Sequence, residues 1–502
     1  MNLKLAAVIA LSVPLLAQSV PAWMPKAREW ITANQQAIVG ELLDLLEIPN
    51  IAADRPNVKR NAEHLRGLFE KRGFTAELLE TSGNPLVYAE LKVPGATRTL
   101  LLYCHYDGQP VDPKGWRQPD PFKPVVRQGK DGSEVARPRE LTRFDPEWRI
   151  YARSASDDKS PIVMILAAID ALAAAGERPT SNVRVILDGE EEANSPGLVP
   201  AIGKYRDKLG ADLMVILDGP QHPSGRPTIA YGARGITRVD VTVFGPKVGV
   251  HSGNYGNWIP NPAQRLALLL ASMKDEEGRV LVKGWNDGIE KLTRAEEAML
   301  SAVPEDAATM LRAFGVAAPE QAYPKLQQAL QYPTLNVRGL VSAFVGPAAR
   351  TIIPDSATAS IDIRLVKETP AAAMVEKLRA HLVAQGYHIV EGQPDDETRR
   401  RYSKLASLTT LGEGTSAFRT SPSDPRARAL AASITAAHGV EAVHLRTLGG
   451  TVPIAPFIAA LGFPAVLVPT VNFDNNQHEE NENLRLGNLF EGILTVAAIL
   501  KQ

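Results

Sequence analysis

From Trp23 to Gly235 short apolar runs alternate with helical patterns. Leu100–Cys104, Val183–Leu187 and Leu213–Leu217 each end in polar residues, as strands buried on both faces do. Between the first two, Ile162–Ala175 is apolar nearly all round and predicts a buried helix, with Ser160 and Pro161 suited to its N-cap and first position. This alternation predicts an α/β layer, a mostly parallel sheet sandwiched by helices. After Gly235 the texture changes. Val239, Val241 and Val243 alternate with polar residues, as do Ile361, Ile363 and Leu365, the period of half-exposed antiparallel strands. Helical patterns cover Pro262–Met273 and Pro370–Gln385. We therefore read residues 236–390 as a smaller α+β domain inserted into the first. The α/β texture resumes with a helix over Arg426–His438, a buried strand over Ala465–Pro469 and a last helix over Leu484–Leu500. The larger domain is then discontinuous, residues 23–235 and 391–502.

Composition narrows the classes. A chain of 502 residues has room for about three ordinary domains. Its 44% hydrophobic content supports a large core. A net charge of −1 leaves no basic field for a nucleic-acid backbone, so that partner class is disfavoured. A single cysteine, Cys104, excludes an intrachain disulfide and reads as an inert thiol in an apolar strand. At the amino end Lys4 precedes an apolar run from Leu5 to Leu16, followed by small residues at Ala17, Ser19, Val20 and Ala22. That pattern predicts an export signal over residues 1–22, hence a periplasmic or secreted protein. Elsewhere no run of about 20 apolar residues suggests a membrane span. Neither Gly-x-Gly-x-x-Gly nor the P-loop spacing occurs, which disfavours hydride transfer and phosphate binding.

The chemistry lies where acidic residues and histidines fall relative to the strands. His105 and Asp107 follow the first run, and Asp157 and Asp158 precede the buried helix. Glu190, Glu191 and Glu192 follow the second run, Asp218 the third, and His478 the strand near Ala465. Taken singly, each reads as a surface turn, a solvated loop or charge at a helix N-terminus. Taken together, separate segments deliver carboxylates and imidazoles to one edge of one sheet. Like charges crowded in a cleft cost several kcal/mol unless something positive offsets them. A pair of divalent cations suits those donors.

Further motifs are Ser156-Asp-Asp-Lys159, Gly189-Glu-Glu-Glu-Ala-Asn-Ser-Pro196, Tyr231-Gly-Ala-Arg-Gly235 and Val250-His-Ser-Gly253. Ile361-Asp-Ile-Arg-Leu365, Gly449-Gly-Thr451 and His478-Glu-Glu-Asn-Glu482 complete the set. With His105-Tyr-Asp-Gly-Gln-Pro-Val-Asp112, these stretches resemble, in order and over nearly the whole mature chain, the dinuclear zinc exopeptidase family. That family includes carnosinase, bacterial aminoacyl dipeptidases, aminoacylase and succinyl-diaminopimelate desuccinylase. The first motif and Gly284-Trp-Asn-Asp287 look closest to the dipeptidase branch.

The resemblance implies two divalent metal ions, zinc first and manganese or cobalt as alternatives, bridged by Asp157. His105 and Asp218 would complete one site, Glu192 and His478 the other. Asp107 would hold the His105 ring, and Glu191 would be the general base. The inserted domain would be a ferredoxin-like lid and dimerisation unit. Its His251 would reach the partner subunit's active site and stabilise the oxyanion. Arg364 and the turn Gly449, Gly450 and Thr451 would grip a substrate carboxylate. The implied function is an exported metal-dependent dipeptidase or small-peptide exopeptidase, working as a homodimer on peptides. The alternative within the fold is an amidohydrolase acting on N-acyl amino acids, and the rival from another class is a binding protein that kept the fold without catalysis.

Ser154 stands where the family commonly has glycine, and Ser160 replaces another. The stretch from Gly129 to Trp148 is longer than the family pattern suggests. It could be a cleft wall, a size filter or a subunit contact. His64, His222, His381, His388, His438 and His444 read as structural or solvated.

Overall fold

The computed structural model describes residues 20–502; the expected leader lies outside them apart from its last few residues. An eight-stranded sheet carries the larger unit. In spatial order its strands are Thr75–Leu79, Leu86–Leu91, Asn182–Asp188, Thr99–His105, Leu213–Ile216, Ala465–Leu467, Thr228–Ala230 and Val443–Leu445. The four central strands run parallel to one another. Antiparallel pairings join them to the flanking strands on either side, and at one edge Val443–Leu445 runs parallel to Thr228–Ala230.

The strands are apolar on both faces because both faces are covered. Leu100, Leu102 and Cys104 enter one core, beneath the helices Arg55–Glu70, Lys159–Ala174, Pro425–His438 and Leu486–Leu500. Leu101 and Tyr103 enter the other, against Leu198–Leu209 and Ala455–Leu461. Neither core admits a polar alternation, so each strand reads as a continuous apolar run. Each fully buried leucine contributes about 1.5–3 kcal/mol relative to exposure. The buried helix begins earlier than the sequence predicts, at Lys159, with Asp158 at the N-cap position and Pro161 inside the first turn. First-turn N–H groups have no intrahelical acceptor, so a proline there costs the helix nothing. Among the described residues no helix is long and apolar enough to cross a membrane.

A five-stranded sheet forms the smaller unit, in the order Asn336–Val341, Ser356–Leu365, Gly235–Phe244, Leu405–Thr410 and His388–Ile389. Exposure alternates along Ser356–Leu365 without a break. Its inward residues pack with Val239, Val241 and Val243 against the helices Pro262–Met273 and Ala371–Ala384. The expected boundary at residue 390 falls short. Leu405–Thr410 pairs along Gly235–Phe244, so the smaller unit runs to Thr410. That strand mixes Leu and Ala with Ser and Thr, and its period is too weak to read without its partner.

The long stretch Gly129–Trp148 connects two strands of a small sheet. Val125–Arg127, Arg149–Tyr151 and Asn483–Arg485 form a three-stranded sheet. The Tyr151 hydroxyl donates to Lys130 O at 2.6 Å, and Arg117 N donates to Asn481 Oδ1 at 2.8 Å. Asn481 Nδ2 in turn donates to Gly115 O at 3.2 Å, so the Asn476–Glu482 loop is fastened to the segment around Gly115–Arg117.

Glu482 fastens the same loop to the turn that bears Asp157. Its carboxylate is fully buried. Oε1 accepts from Ser156 N at 3.0 Å, Ser156 Oγ at 3.1 Å and Asp157 N at 2.9 Å. Oε2 accepts from Ser154 N at 3.0 Å and from the Arg153 guanidinium at 2.8 Å. An amide in place of the carboxylate would turn a donor toward donors and strand a buried guanidinium. We expect Glu482→Gln to lower the unfolding free energy by about 3–5 kcal/mol in a urea titration. A loss below about 1 kcal/mol, the worth of one ordinary hydrogen bond, would show that the clamp is dispensable.

Candidate metal centre

Parallel strands present their carboxyl ends at one edge, where ligands of such sheets bind. Three adjacent strands do so here. Thr99–His105 ends at His105, Asn182–Asp188 leads into Glu191 and Glu192, and Leu213–Ile216 leads to Asp218. Asp157 comes from the turn before the buried helix, and His478 from the loop after Ala465–Leu467.

These residues converge. His105, Asp157 and Asp218 offer donor atoms all within 4.8 Å of one another, and so do Asp157, Glu192 and His478. Asp157 belongs to both groups. Its Oδ1 lies 3.0 Å from His105 Nε2, and its Oδ2 lies 3.1 Å from His478 Nε2. Glu192 Oε2 lies 3.5 Å from the same His478 nitrogen. Behind His105, Nδ1 faces Asp107, 3.3 Å from Oδ1. The Asp107 carboxylate also accepts from Glu191 N and Glu192 N, each at 3.1 Å. One buried aspartate thus orients both the imidazole and the glutamate turn.

The electrostatics follow from crowding. Burial and the neighbouring Asp157 push Asp218 up to about 6 and Glu192 up to about 7. Burial also raises Glu191 well above the carboxylate range, with Asp218, Glu192 and Asp157 adding to the effect. Its hydrogen bond to Asp157 lifts His478 to about 9. Burial works against an ionised Asp157, but hydrogen bonds and charge from His105 and His478 outweigh it and hold the carboxyl low. Carboxylates and imidazoles this close, with so little cationic charge among them, fit two divalent cations sharing Asp157.

The other expected residues divide. Arg364 and Thr451 come together, with Nη1 donating to Oγ1 at 2.8 Å. Leu448 O and Gly450 O, flanking Gly449, each accept from Arg234 N at 3.2 Å. His251 does not join the cluster within one chain. It is exposed on the smaller unit, where Nδ1 accepts from Gly253 N at 3.1 Å. Ser154 adopts the left-handed conformation, φ 63°, a region that favours glycine. Its Oγ accepts from Asn50 Nδ2 at 2.9 Å, and a side chain at Gly108 would collide with that oxygen. Cys104 is buried and its thiol is pushed up by burial, as an inert thiol should be.

Several supporting residues escape sequence reasoning. Glu482 lies in a recognised motif, but nothing in the spacing shows that it reaches back to Asp157. Asp188 accepts from Ser195 Oγ at 2.6 Å and Glu190 N at 3.0 Å, shaping the glutamate turn. Gln109 Nε2 donates to Glu192 Oε2 at 2.5 Å. Lys159 is wholly buried and donates to Leu45 O at 2.9 Å and Ile48 O at 2.8 Å, tying the amino-terminal helices to the Asp157 turn.

Residues 101–502 match Peptidase family M20/M25/M40. The chain is 26% identical to Cys-Gly metallodipeptidase dug1 of Schizosaccharomyces pombe, over 94% of this chain and 96% of that protein. It is 27% identical to the Beta-Ala-His dipeptidase of Homo sapiens, over 95% and 92%. Among solved structures it resembles the M20 family metallo-carboxypeptidase Sso-CP2 from Sulfolobus solfataricus, with TM-score 0.73, 29% identity and coverage of 92% and 98%. Human carnosine dipeptidase 1 follows with TM-score 0.67, 25% identity and coverage of 95% and 98%. The match takes in the strands that bear the acidic cluster and the whole insertion. The chain is therefore a metallopeptidase belonging to Peptidase family M20/M25/M40, on the side of its dipeptidases.

Proposed function

We propose that this protein is a dipeptidase that hydrolyses the peptide bond of dipeptides or small peptides with two divalent cations and a glutamate base. The observation that carries the reading is Asp157, with one carboxylate oxygen beside each histidine. His105 and Asp218 would hold one cation, Glu192 and His478 the other, with Asp157 common to both. Bound there, divalent cations, zinc being the first choice, would supply an acidified water and Lewis-acid polarisation of the scissile carbonyl.

The chain's own residues do the rest. Glu191 takes a proton from the attacking water and returns it to the leaving nitrogen. Asp107 keeps His105 in the tautomer that turns Nε2 toward Asp157. Arg364 and Thr451 receive the substrate's carboxylate through paired donors. His251 belongs to the oxyanion site of a second copy, which makes the enzyme a homodimer. Its exposure supports this, as do the apolar side chains left in solvent on the same unit, Trp258 at 77% and Val345 at 87%. Export rests on Lys4 and the Leu5–Leu16 run. The names of the relatives, Cys-Gly and Beta-Ala-His dipeptidases, support small peptides over N-acyl amino acids.

A panel of free dipeptides and N-acyl amino acids, read by mass spectrometry on metal-reconstituted protein, tests the substrate class. Dipeptides should be cleaved and chelation should abolish cleavage; turnover confined to N-acyl amino acids would replace this reading with the deacylase one. Glu191→Gln should keep metal and fold while turnover falls at least about 10². Mixing it with the inactive His251→Ala should recover part of the activity, since one hybrid site then holds both residues; near-normal Glu191→Gln turnover would refute the base, and no recovery would refute the cross-subunit histidine.

Metal-free protein should show a pH signature. Glu192 and Asp218 have folded values, about 7 and about 6, above their unfolded ones. Stability from their protonated forms is complete below the unfolded value and is lost as pH rises through the folded one. His478, raised to about 9, adds stability present below its unfolded value and lost on rising through the folded value. The melting temperature of the chelated protein should therefore fall as pH rises from about 4 to about 9, the two carboxyl groups acting below about 7 and His478 above it, and added zinc should restore it most at the upper end. A flat profile without metal would show that these groups do not repel one another.

A further inference from the structure

The smaller unit sends out a long excursion between Trp285 and Leu335, two residues of its own core. The excursion does not pack on that core. Its helix Arg294–Ala302 lies against the edge strand Val443–Leu445 of the larger sheet. Val303, just beyond the helix, is part of the larger unit's second core. The excursion is thus a strap rooted in one unit and seated on the other.

Arg446 fastens the strap. It is 3% exposed, immediately after the edge strand. Its Nε donates to Glu296 Oε1 at 2.7 Å and its Nη1 to Gln331 Oε1 at 2.9 Å. Glu296 does double duty, since its other oxygen accepts from Thr293 N at 2.8 Å and closes the capping box of the strap helix. Gln331 opens the tetrapeptide Gln331-Tyr-Pro-Thr334, and each end of it meets an arginine. Tyr332 O accepts from Arg234 Nη2 at 2.6 Å. Thr334 Oγ1 accepts from Arg364 N at 2.9 Å, and Thr334 N donates to Arg364 O at 3.1 Å. On the other side of Arg446 the chain runs within a few residues to Gly449, Gly450 and Thr451. Thr451 is the residue that Arg364 touches from the smaller unit.

We propose that Arg446 is a positioning residue that assembles the carboxylate grip across the two units, by pinning Glu296 and Gln331 so that Arg364 meets the Gly449–Thr451 turn. The proposal rests on the reading above that Arg364 and Thr451 receive the substrate carboxylate. Arg446 need not touch substrate. It fixes the register between a side chain carried by one unit and a turn carried by the other. An error of about 1 Å in such an alignment can cost about 10²-fold.

The test compares a dipeptide with a free carboxyl end and the same dipeptide as its carboxyl-terminal amide, on the metal-loaded full chain. Wild type should prefer the free acid, and Arg364→Ala should remove that preference. Arg446→Met should raise KM for the acid about tenfold, leave kcat within about twofold, and leave both constants for the amide unchanged. Because Arg446→Met can impair folding, Glu296→Gln is the second variant. Glutamine still serves the capping box, so the helix keeps its start while the charged partner of Arg446 is lost. Glu296→Gln should shift the acid-to-amide ratio in the same direction. An unchanged ratio in both variants, or an equal fall in kcat on both substrates, would overturn the positioning role while leaving the grip intact. A wild type that does not discriminate, with Arg364→Ala also unchanged, would overturn the grip itself and this inference with it.

Discussion

A carboxylate with no access to water must be satisfied by its neighbours, and Glu482 is satisfied by the backbone that presents Asp157. Three N–H groups, one hydroxyl and one guanidinium converge on its two oxygens. Such charge-assisted bonds are roughly twice as strong as neutral ones. They also join distant stretches of chain, since Glu482 stands four residues after His478 while its donors end at Asp157. The two oxygens of Asp157 can face two imidazoles only because this turn is held from below. Loosening the clamp would let the bridging carboxylate drift from both histidines together.

The sheet supplies the other half of the constraint. Parallel strands bring their carboxyl ends to a common edge, and both faces of these strands are packed with apolar side chains. Acidic groups therefore cannot spread along the strands and gather where the strands stop. Asp107 and Asp188 then shape the loops with hydrogen bonds, aiming Glu191 and Glu192 inward. The result is an acidic pocket in which burial and neighbouring carboxylates raise Glu191, Glu192 and Asp218. Like charges so placed are unfavourable by themselves and would be offset by divalent cations held among them.

A second theme is division of labour between the units. The larger unit holds every residue of the acidic cluster. The smaller one brings Arg364 to its edge and leaves His251 in solvent. The strap between Trp285 and Leu335 keeps this division from becoming looseness, because buried Arg446 couples it to the edge of the large sheet. The acidic cluster and the Arg364–Thr451 pair are thus held in register by a few buried polar contacts between the units.

Much of this was legible in the residues. Continuous apolar runs marked the parallel strands, alternating valines and isoleucines marked the smaller sheet, and the acidic residues and histidines after the runs marked the site. These are local signals, set by which side chains must leave water and how often. The strand Leu405–Thr410 was not legible, because its weak pattern acquires meaning only beside Gly235–Phe244. The helix start was misplaced because a first-turn proline is compatible with several starts. Glu482, Asp188, Lys159 and Arg446 were invisible as supports, since each acts on a segment far away in sequence. Composition and period determine which residues are buried and which strand ends carry charge. Only the folded chain decides which buried polar group meets which, because hydrogen bonds are directional and short while sequence separation says nothing of distance.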